Sequence, residues 1–329
     1  NINMYASYLS ISIPVLLAVF AFCKNWFSRI LSGILLIAAG CNILIANSDS
    51  VFLGIFAGVV VVTILAFMQG RLRYSSFAVF LLFVGNLVLG FINKYGHTRY
   101  DKKRGGLAIA LNRLDIAFVL CGAALLVFAV VCVCNWKLGT RVAAWNKKKI
   151  VLIVCGACVA LGVIGIIVLA VTGSSLLTFN DKWGSYRGYI WRKIVEVYGD
   201  APFVNKLFGY GNESVRVTLK AACYNEMVQV TGKVYDNAHN ELLQYLFTTG
   251  IVGLLSYLAL VGSSIVYMFK HAKGHAWISV CLAATVGYFA QSILNLNQPI
   301  TTPLFFVFMA MGVGTVNYCR RVKELEKRA

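Results

Sequence analysis

Asp236, His239, Asn240, Glu241 and Gln244 crowd together just ahead of a long apolar run, "DNAHNELLQYLFTTGIVGLL" (236–255). Histidine is the side chain best suited to take a proton near neutral pH, which is what a general base must do. Asp236 or Asn237 is the expected N-cap of the helix that follows, so His239 falls in its first turn with Asn240 and Glu241 beside it. A helix start carries partial positive charge and unpaired N–H groups. It therefore attracts anions and disfavours a protonated imidazole. Asn240, Gln244 and Thr248 recur every four residues as one polar stripe running inward. Gly250 and Gly253 follow at a spacing that lets another helix pack closely. A lone histidine at a membrane edge could be a helix cap and nothing more. The convergence of His, Asn, Glu, Gln and Asp beside a structured loop favours a functional site.

That loop must help to position the site. It is a polar stretch of about 65 residues, "TGSSLLTFNDKWG…VTGKVYDNAHN", too long for a simple turn. Residues 185–198 are predicted to form an amphipathic helix. Ser185 is its expected N-cap, with an apolar stripe of Tyr186, Ile190, Ile194 and Val197 and with Arg187, Arg192 and Lys193 off that stripe. Trp183, Tyr186, Tyr189 and Trp191 suit a membrane interface, so the helix is expected to lie on the outer surface. Gly209 and Gly211 of "LFGYG" mark a tight turn; a lone Gly-x-Gly does not separate a plain turn from close backbone approach to a ligand.

The composition sets the class. The chain is 59% hydrophobic and 13% charged, and its apolar residues fall in blocks of a length that crosses a bilayer. An all-α integral membrane protein with about nine spans is expected, near 5–22, 30–46, 51–68, 76–93, 114–134, 150–171, 240–269, 276–295 and 299–317. The corresponding regions are 1–171 (about six spans), the loop 172–239, the last spans 240–317 and a basic tail 318–329. The first residue is Asn1, and a preceding segment with an odd number of spans is the expected reason. Basic stretches at 24–29, 70–73, 135–149, 270–275 and the tail then share the cytoplasmic side, and the long loop faces outward. The net charge of +18 is read as topology and contact with anionic lipid, not as nucleic-acid binding. One outer loop, 94–113, is basic against that rule: either a helix is miscounted, or its cations form an outward patch for phosphate. Of the ten cysteines, nine lie in or beside apolar segments and suggest packing rather than disulfides. Pro14 and Pro299 are placed near helix starts, and Pro303 is expected to kink the last span.

"HNELLQYLFTTGIVG" resembles the signature of the O-antigen ligase and polymerase family: His-Asn, nine residues, then Gly-x-x-Gly. "WGSYRGYIW", "KLFGYG" and "NQPITTPLFFVFMAMGVG" are similar to that family's outer loop and closing helix, so the resemblance covers roughly 180–317. It implies a metal-independent glycosyltransferase without cofactor, embedded as a multi-pass protein in the cell membrane and active on its extracytoplasmic face. The donor would be a glycan on undecaprenyl diphosphate, and the acceptor a hydroxyl of another lipid-linked glycan or of a lipid core. His239 would deprotonate or orient that hydroxyl, and Arg187 occupies the family's loop-arginine position. Asn240, Glu241, Gln244, Asp236 and Trp191 would line the substrate site, and Arg216 would supply a second cation for the diphosphate. The chain departs from the pattern at "NSDSVFLG", where Asp49 stands among serines and some relatives carry an arginine. Arg99, Lys102, Lys103 and Arg104 of the basic outer loop are the expected substitute. No DxD pair or P-loop stands in the long loop. A transporter of lipid-linked glycans is the alternative, but it would place charges deep in several spans, whereas the mid-span polar groups here are mostly neutral, such as Asn42, Asn86 and Gln291. Polymerase and ligase share donor and leaving group, and these residues leave both open.

Overall fold

The computed structural model describes residues 2–43, 48–95, 113–143, 180–296 and 298–328. Among them are eleven helices and no strand. In chain order they are α1 (Ile2–Phe22), α2 (Trp26–Ile43), α3 (Asp49–Met68), α4 (Leu72–Tyr95), α5 (Leu114–Ala143), α6 (Trp183–Gly199), α7 (Phe203–Phe208), α8 (Ser214–Thr231), α9 (Glu241–His271), α10 (Ala276–Ser292) and α11 (Thr302–Glu326). Seven of these are long and apolar enough to cross a membrane, and α10 is apolar but shorter, at 17 residues. Eight of the nine expected spans thus meet a helix. The sixth, 150–171, lies outside the described residues.

The chain divides into two compact units, Asn1–Lys147 with Gly262–Gln291 and Asn297–Ala329, and Lys148–Val261 with Ser292–Leu296. In the first unit α1 packs on α2, α3 and α4, and α4 packs on α2 and α5. Without water between them, membrane helices gain mainly by close packing, which small residues allow. Gly40 of α2 and Gly85 of α4 show this in reciprocal form. A methyl on Gly40 would overlap the Leu82 carbonyl oxygen, and one on Gly85 would overlap that of Ile37.

Pro14 lies well inside α1, not near its start. It has no N–H, so the Ser10 carbonyl loses its helical partner. Glycines gather at this turn. A methyl on Gly58 would strike the Pro14 ring, one on Gly287 would meet the Ser10 carbonyl, and one on Gly54 would lie 2.6 Å from the Ser10 hydroxyl. Pro303 sits in the first turn of α11 and starts that helix rather than kinking it. Neutral polar side chains bridge the helices. Ser7 donates to Gln291 Oε1 (3.3 Å), Gln291 Nε2 donates to Ser50 (3.3 Å), and Tyr5 donates to Asn42 Oδ1 (2.8 Å). Apolar side chains such as Trp26, Phe56, Val119 and Leu126 are left exposed, which suits contact with lipid.

Gly85→Ala should force α2 and α4 apart and cost about 1–3 kcal/mol. Thermal unfolding of the detergent-solubilised protein should show a lower midpoint for this variant. Gly122→Ala, in α5 where the added methyl meets nothing, should leave the midpoint unchanged or slightly raised.

Candidate active site

The second unit has its own core. Tyr189, Ile190 and Ile194 of α6, Val215, Leu219 and Met227 of α8, and Tyr235, Ala238 and Phe247 bury one another. The apolar stripe of α6 is therefore committed to protein, with Ile190 and Ile194 fully buried, and is not left open for a membrane surface as expected. Arg192 and Lys193, off the stripe, clamp α6 to α8. Arg192 pairs with Asp181 (2.8 Å), and Lys193 pairs with Glu196 and Glu226 (2.9 Å each). These ion pairs are partly exposed, with Lys193 the more covered of the two cations, and contribute orientation more than stability.

The largest departure from expectation is α9. In a straight helix Tyr245 and Tyr257 would stand about 18 Å apart, and Glu241 and Tyr257 about 24 Å. Instead the two tyrosine rings stack at 4.1 Å, and the Tyr257 hydroxyl donates to Glu241 Oε1 at 3.0 Å. The helix folds back on itself at Gly250, whose backbone (φ 68, ψ −173) is open in practice to glycine alone. A short first leg, 241–249, thus lies against the start of the second leg, 251–271. The second leg alone has the roughly 20 residues a span requires.

A reversal strands the carbonyls that end the first leg. The "LFGYG" turn receives them: Tyr210 N–H donates to the Phe247 carbonyl (3.0 Å) and Gly211 N–H to that of Thr248 (2.9 Å). The approach is backbone on backbone. A methyl on Gly209 would overlap Thr248, and one on Gly250 would overlap Leu207. Gly209 (φ 77, ψ −171) also holds a glycine-only conformation. The Gly-x-Gly turn therefore makes a close backbone approach to α9. The Gly250–Gly253 pair serves the reversal rather than a second helix, since a methyl on Gly253 would strike Thr249 of the first leg.

The first leg begins at the proposed site. Asn240 is the N-cap rather than Asp236 or Asn237, its Oδ1 accepting from Leu243 N–H at 3.0 Å. The loop before it is held from several sides. Gln244 Oε1 accepts from Ala238 N–H (2.9 Å), Asn237 Oδ1 accepts from His239 N–H (3.1 Å), and Trp191 Nε1 donates to the Ala238 carbonyl (2.8 Å). Asn240, Gln244 and Trp191 thus fix the loop that carries His239. His239 itself is left-handed (φ 47), as are Ser185 (φ 60) and Tyr186 (φ 70) at the start of α6. Ser185 does not cap that helix; its carbonyl accepts from the Tyr235 hydroxyl at 2.8 Å. The unusual turn delivers Arg187, whose Nη1 donates to the Leu294 carbonyl at 2.7 Å.

His239 stands edge-on to Tyr235, ring centroids 5.8 Å apart. Burial and, next, the Arg187 charge push its pKa down to about 4; Lys233 acts in the same direction and Asp236 opposes. Its imidazole is neutral at physiological pH. His239 Nδ1 and Glu241 Oε2 are buried without a hydrogen-bond partner among the described residues. Asp236 is exposed, and its carboxylate accepts from the Asn237 side chain. Arg216 is exposed on α8, and no hydrogen bond or ion pair joins it to Arg187 or His239 among the described residues. Arg99, Lys102, Lys103 and Arg104 lie outside those residues. No cluster of three or more metal-ligating side chains occurs among the described residues.

Sequence reasoning missed Lys233, Tyr235, Tyr257 and the Leu294 carbonyl. The Lys233 ammonium lies over the Tyr235 ring at 4.6 Å, beside His239. Its position six residues before the histidine was the available signal. Tyr257 left none, because only the reversal brings it to Glu241.

The elements define a class first: an all-α integral membrane protein whose second unit holds a half-buried neutral histidine in the field of an arginine. Residues 105–258 then match the family described as O-antigen ligase, which bears out the resemblance seen in the sequence. The match takes in α6, α7, α8 and the reversal at Gly250. It supports a role in O-antigen ligation or polymerisation during polysaccharide assembly, with glycosyltransferase-like activity. No curated protein matches the chain.

Gly250→Ala should disturb both the glycine-only conformation and the docked turn. The conformation alone contributes a loss of about 1–3 kcal/mol. A lower unfolding midpoint in detergent is the expected outcome. Gly262→Ala, on the second leg with open space around it, should be neutral or stabilising.

Proposed function

We propose that this protein is a membrane glycosyltransferase that moves a glycan from undecaprenyl diphosphate to a glycan hydroxyl at the outer face of the cell membrane, without a metal. The observation that carries the reading is the half-buried, neutral His239, its Nδ1 shielded from solvent, in the field of the Arg187 charge. In the step, the acceptor oxygen bonds to the anomeric carbon of the donor sugar. The bond from that carbon to the diphosphate oxygen breaks, and the hydroxyl proton passes to His239. The lipid diphosphate leaves with the bonding pair. Its negative charge is stabilised by Arg187, which the Leu294 carbonyl holds in place. Glu241 Oε2 and His239 Nδ1 are both suited to orient the incoming hydroxyl. The donor's lipid chain and the surrounding bilayer are the other partners.

His239→Ala and Arg187→Ala, assayed as purified protein with a lipid-linked repeat unit, should each lower transfer by at least about 10²-fold with folding intact. Activity retained in either would overturn its role. A ladder of products would mark a polymerase, and a single transfer to a different acceptor a ligase.

The pH dependence has a definite sign. A proton on His239 blocks its use as a base, and its pKa lies near 4 instead of 6.5. Transfer should therefore persist below pH 6 and fall as pH drops through about 4. Between pH 6.5 and 4 the unfolded chain binds a proton that the folded one refuses, so stability should also decline with falling pH over that window. A transfer profile with a midpoint at 6.5 would show that His239 is not buried as described.

A further inference from the structure

The first unit holds a second cluster of chemistry that the proposed transfer does not use. Lys270 and His271 end α9, Lys273 and His275 lie in and just after the turn to α10, and Arg320 and Lys323 come from α11. All six line one cavity of about 180 Å³, and no acidic residue lines it. Its floor is apolar: Ile278 and Val316 are essentially unexposed. The positive-inside rule accounts for the presence of cations at this end of the helices. It does not require four of them to converge with two histidines on one concavity, where their mutual repulsion is unfavourable.

The cluster is held in place by its own contacts. His271 Nδ1 lies 2.8 Å from the Tyr267 carbonyl. Arg320 Nη1 donates to the Tyr267 hydroxyl (3.2 Å), which in turn donates to Asn317 Oδ1 (2.6 Å). The turn is closed by His275 N–H donating to the Ala272 carbonyl at 3.1 Å, with Gly274 at φ 84. Glu324 acts on Arg320 from one turn further along α11 but does not line the cavity. Trp277 and Tyr318, each next in sequence to a lining residue, are exposed. Exposed tryptophan and tyrosine mark the head-group level of a bilayer.

We propose that this cavity binds the phosphate of an anionic lipid head group, on the side that the basic loops assign to the cytoplasm. Basic pockets between membrane helices on that side take such groups, and the flanking aromatic residues place the cavity at their depth. Free phosphate shares the chemistry, and the test separates the two sources.

Native mass spectrometry of the full chain, released from bilayers of phosphatidylglycerol and phosphatidylcholine, would read lipid retention directly. The wild type should keep phosphatidylglycerol in preference. Lys273→Gln with Lys323→Gln should weaken its retention roughly 25-fold, about 5-fold per cation removed. Lys327→Gln with Arg328→Gln, on the tail beyond the cavity, should match the wild type, and an unchanged unfolding midpoint would show that each variant is folded. Thermal protection of the wild type by inorganic phosphate, with no preference for phosphatidylglycerol, would overturn the lipid source. Equal retention of phosphatidylglycerol by the wild type and the Lys273/Lys323 variant would overturn the site.

Discussion

The architecture of the second unit depends on two backbone hydrogen bonds, from Tyr210 and Gly211 to the carbonyls of Phe247 and Thr248. A helix that reverses in or near a bilayer cannot leave its last carbonyls to water, since each unsatisfied group costs several kcal/mol there. The turn after α7 meets that requirement, and it can do so only by bringing its own backbone against α9. Both glycines at the contact follow from this. So does the position of α7 and, through the shared core, that of α6 and α8. The reversal then sets Glu241 against Tyr257 and places His239 at the free end of a short, rigid leg.

Strain and unsatisfied polarity collect at that end. Of the four non-glycine residues with positive φ among the described residues, Ser185, Tyr186 and His239 surround the proposed chemistry, and Glu213 lies elsewhere. Each such conformation is unfavourable by about 1–3 kcal/mol and persists only where the surroundings dictate it. Here the surroundings are explicit: Tyr235 on the Ser185 carbonyl, Asn237 on the His239 amide, Gln244 and Trp191 on Ala238. The same packing takes much of the imidazole out of water and, with the Arg187 charge, keeps it neutral, so immobility and proton affinity share a cause.

Much of the fold was legible in the sequence. Apolar blocks located eight described helices, because the length needed to cross hydrocarbon is a strong constraint that involves no partner. The residues of the candidate site were legible as candidates, and their geometry was not. His239, Asn240 and Glu241 stand out by type and spacing and Arg187 by the family resemblance, yet two of the contacts come from segments far along the chain, Leu294 for Arg187 and Tyr257 for Glu241. The amphipathic pattern of α6 gave the right buried stripe and the wrong neighbour, since Ile190 and Ile194 fit a protein core as well as a lipid surface. Gly250 was misjudged for a related reason. A glycine that admits a close neighbour and a glycine that admits a forbidden backbone angle look identical in a sequence, and here the same residue does both.

The reversal also gives meaning to a number in the motif. The nine residues between Asn240 and Gly250 form a strut of about 13 Å, at 1.5 Å per residue. One residue more or fewer would shift the strut's end by that rise and swing it through roughly 100°, carrying His239 out of line with Arg187 while the corner stayed docked. The spacing works as a length gauge. Residues within the strut can change identity wherever packing allows, whereas its length is fixed by the distance between a turn that holds one end and the chemistry at the other.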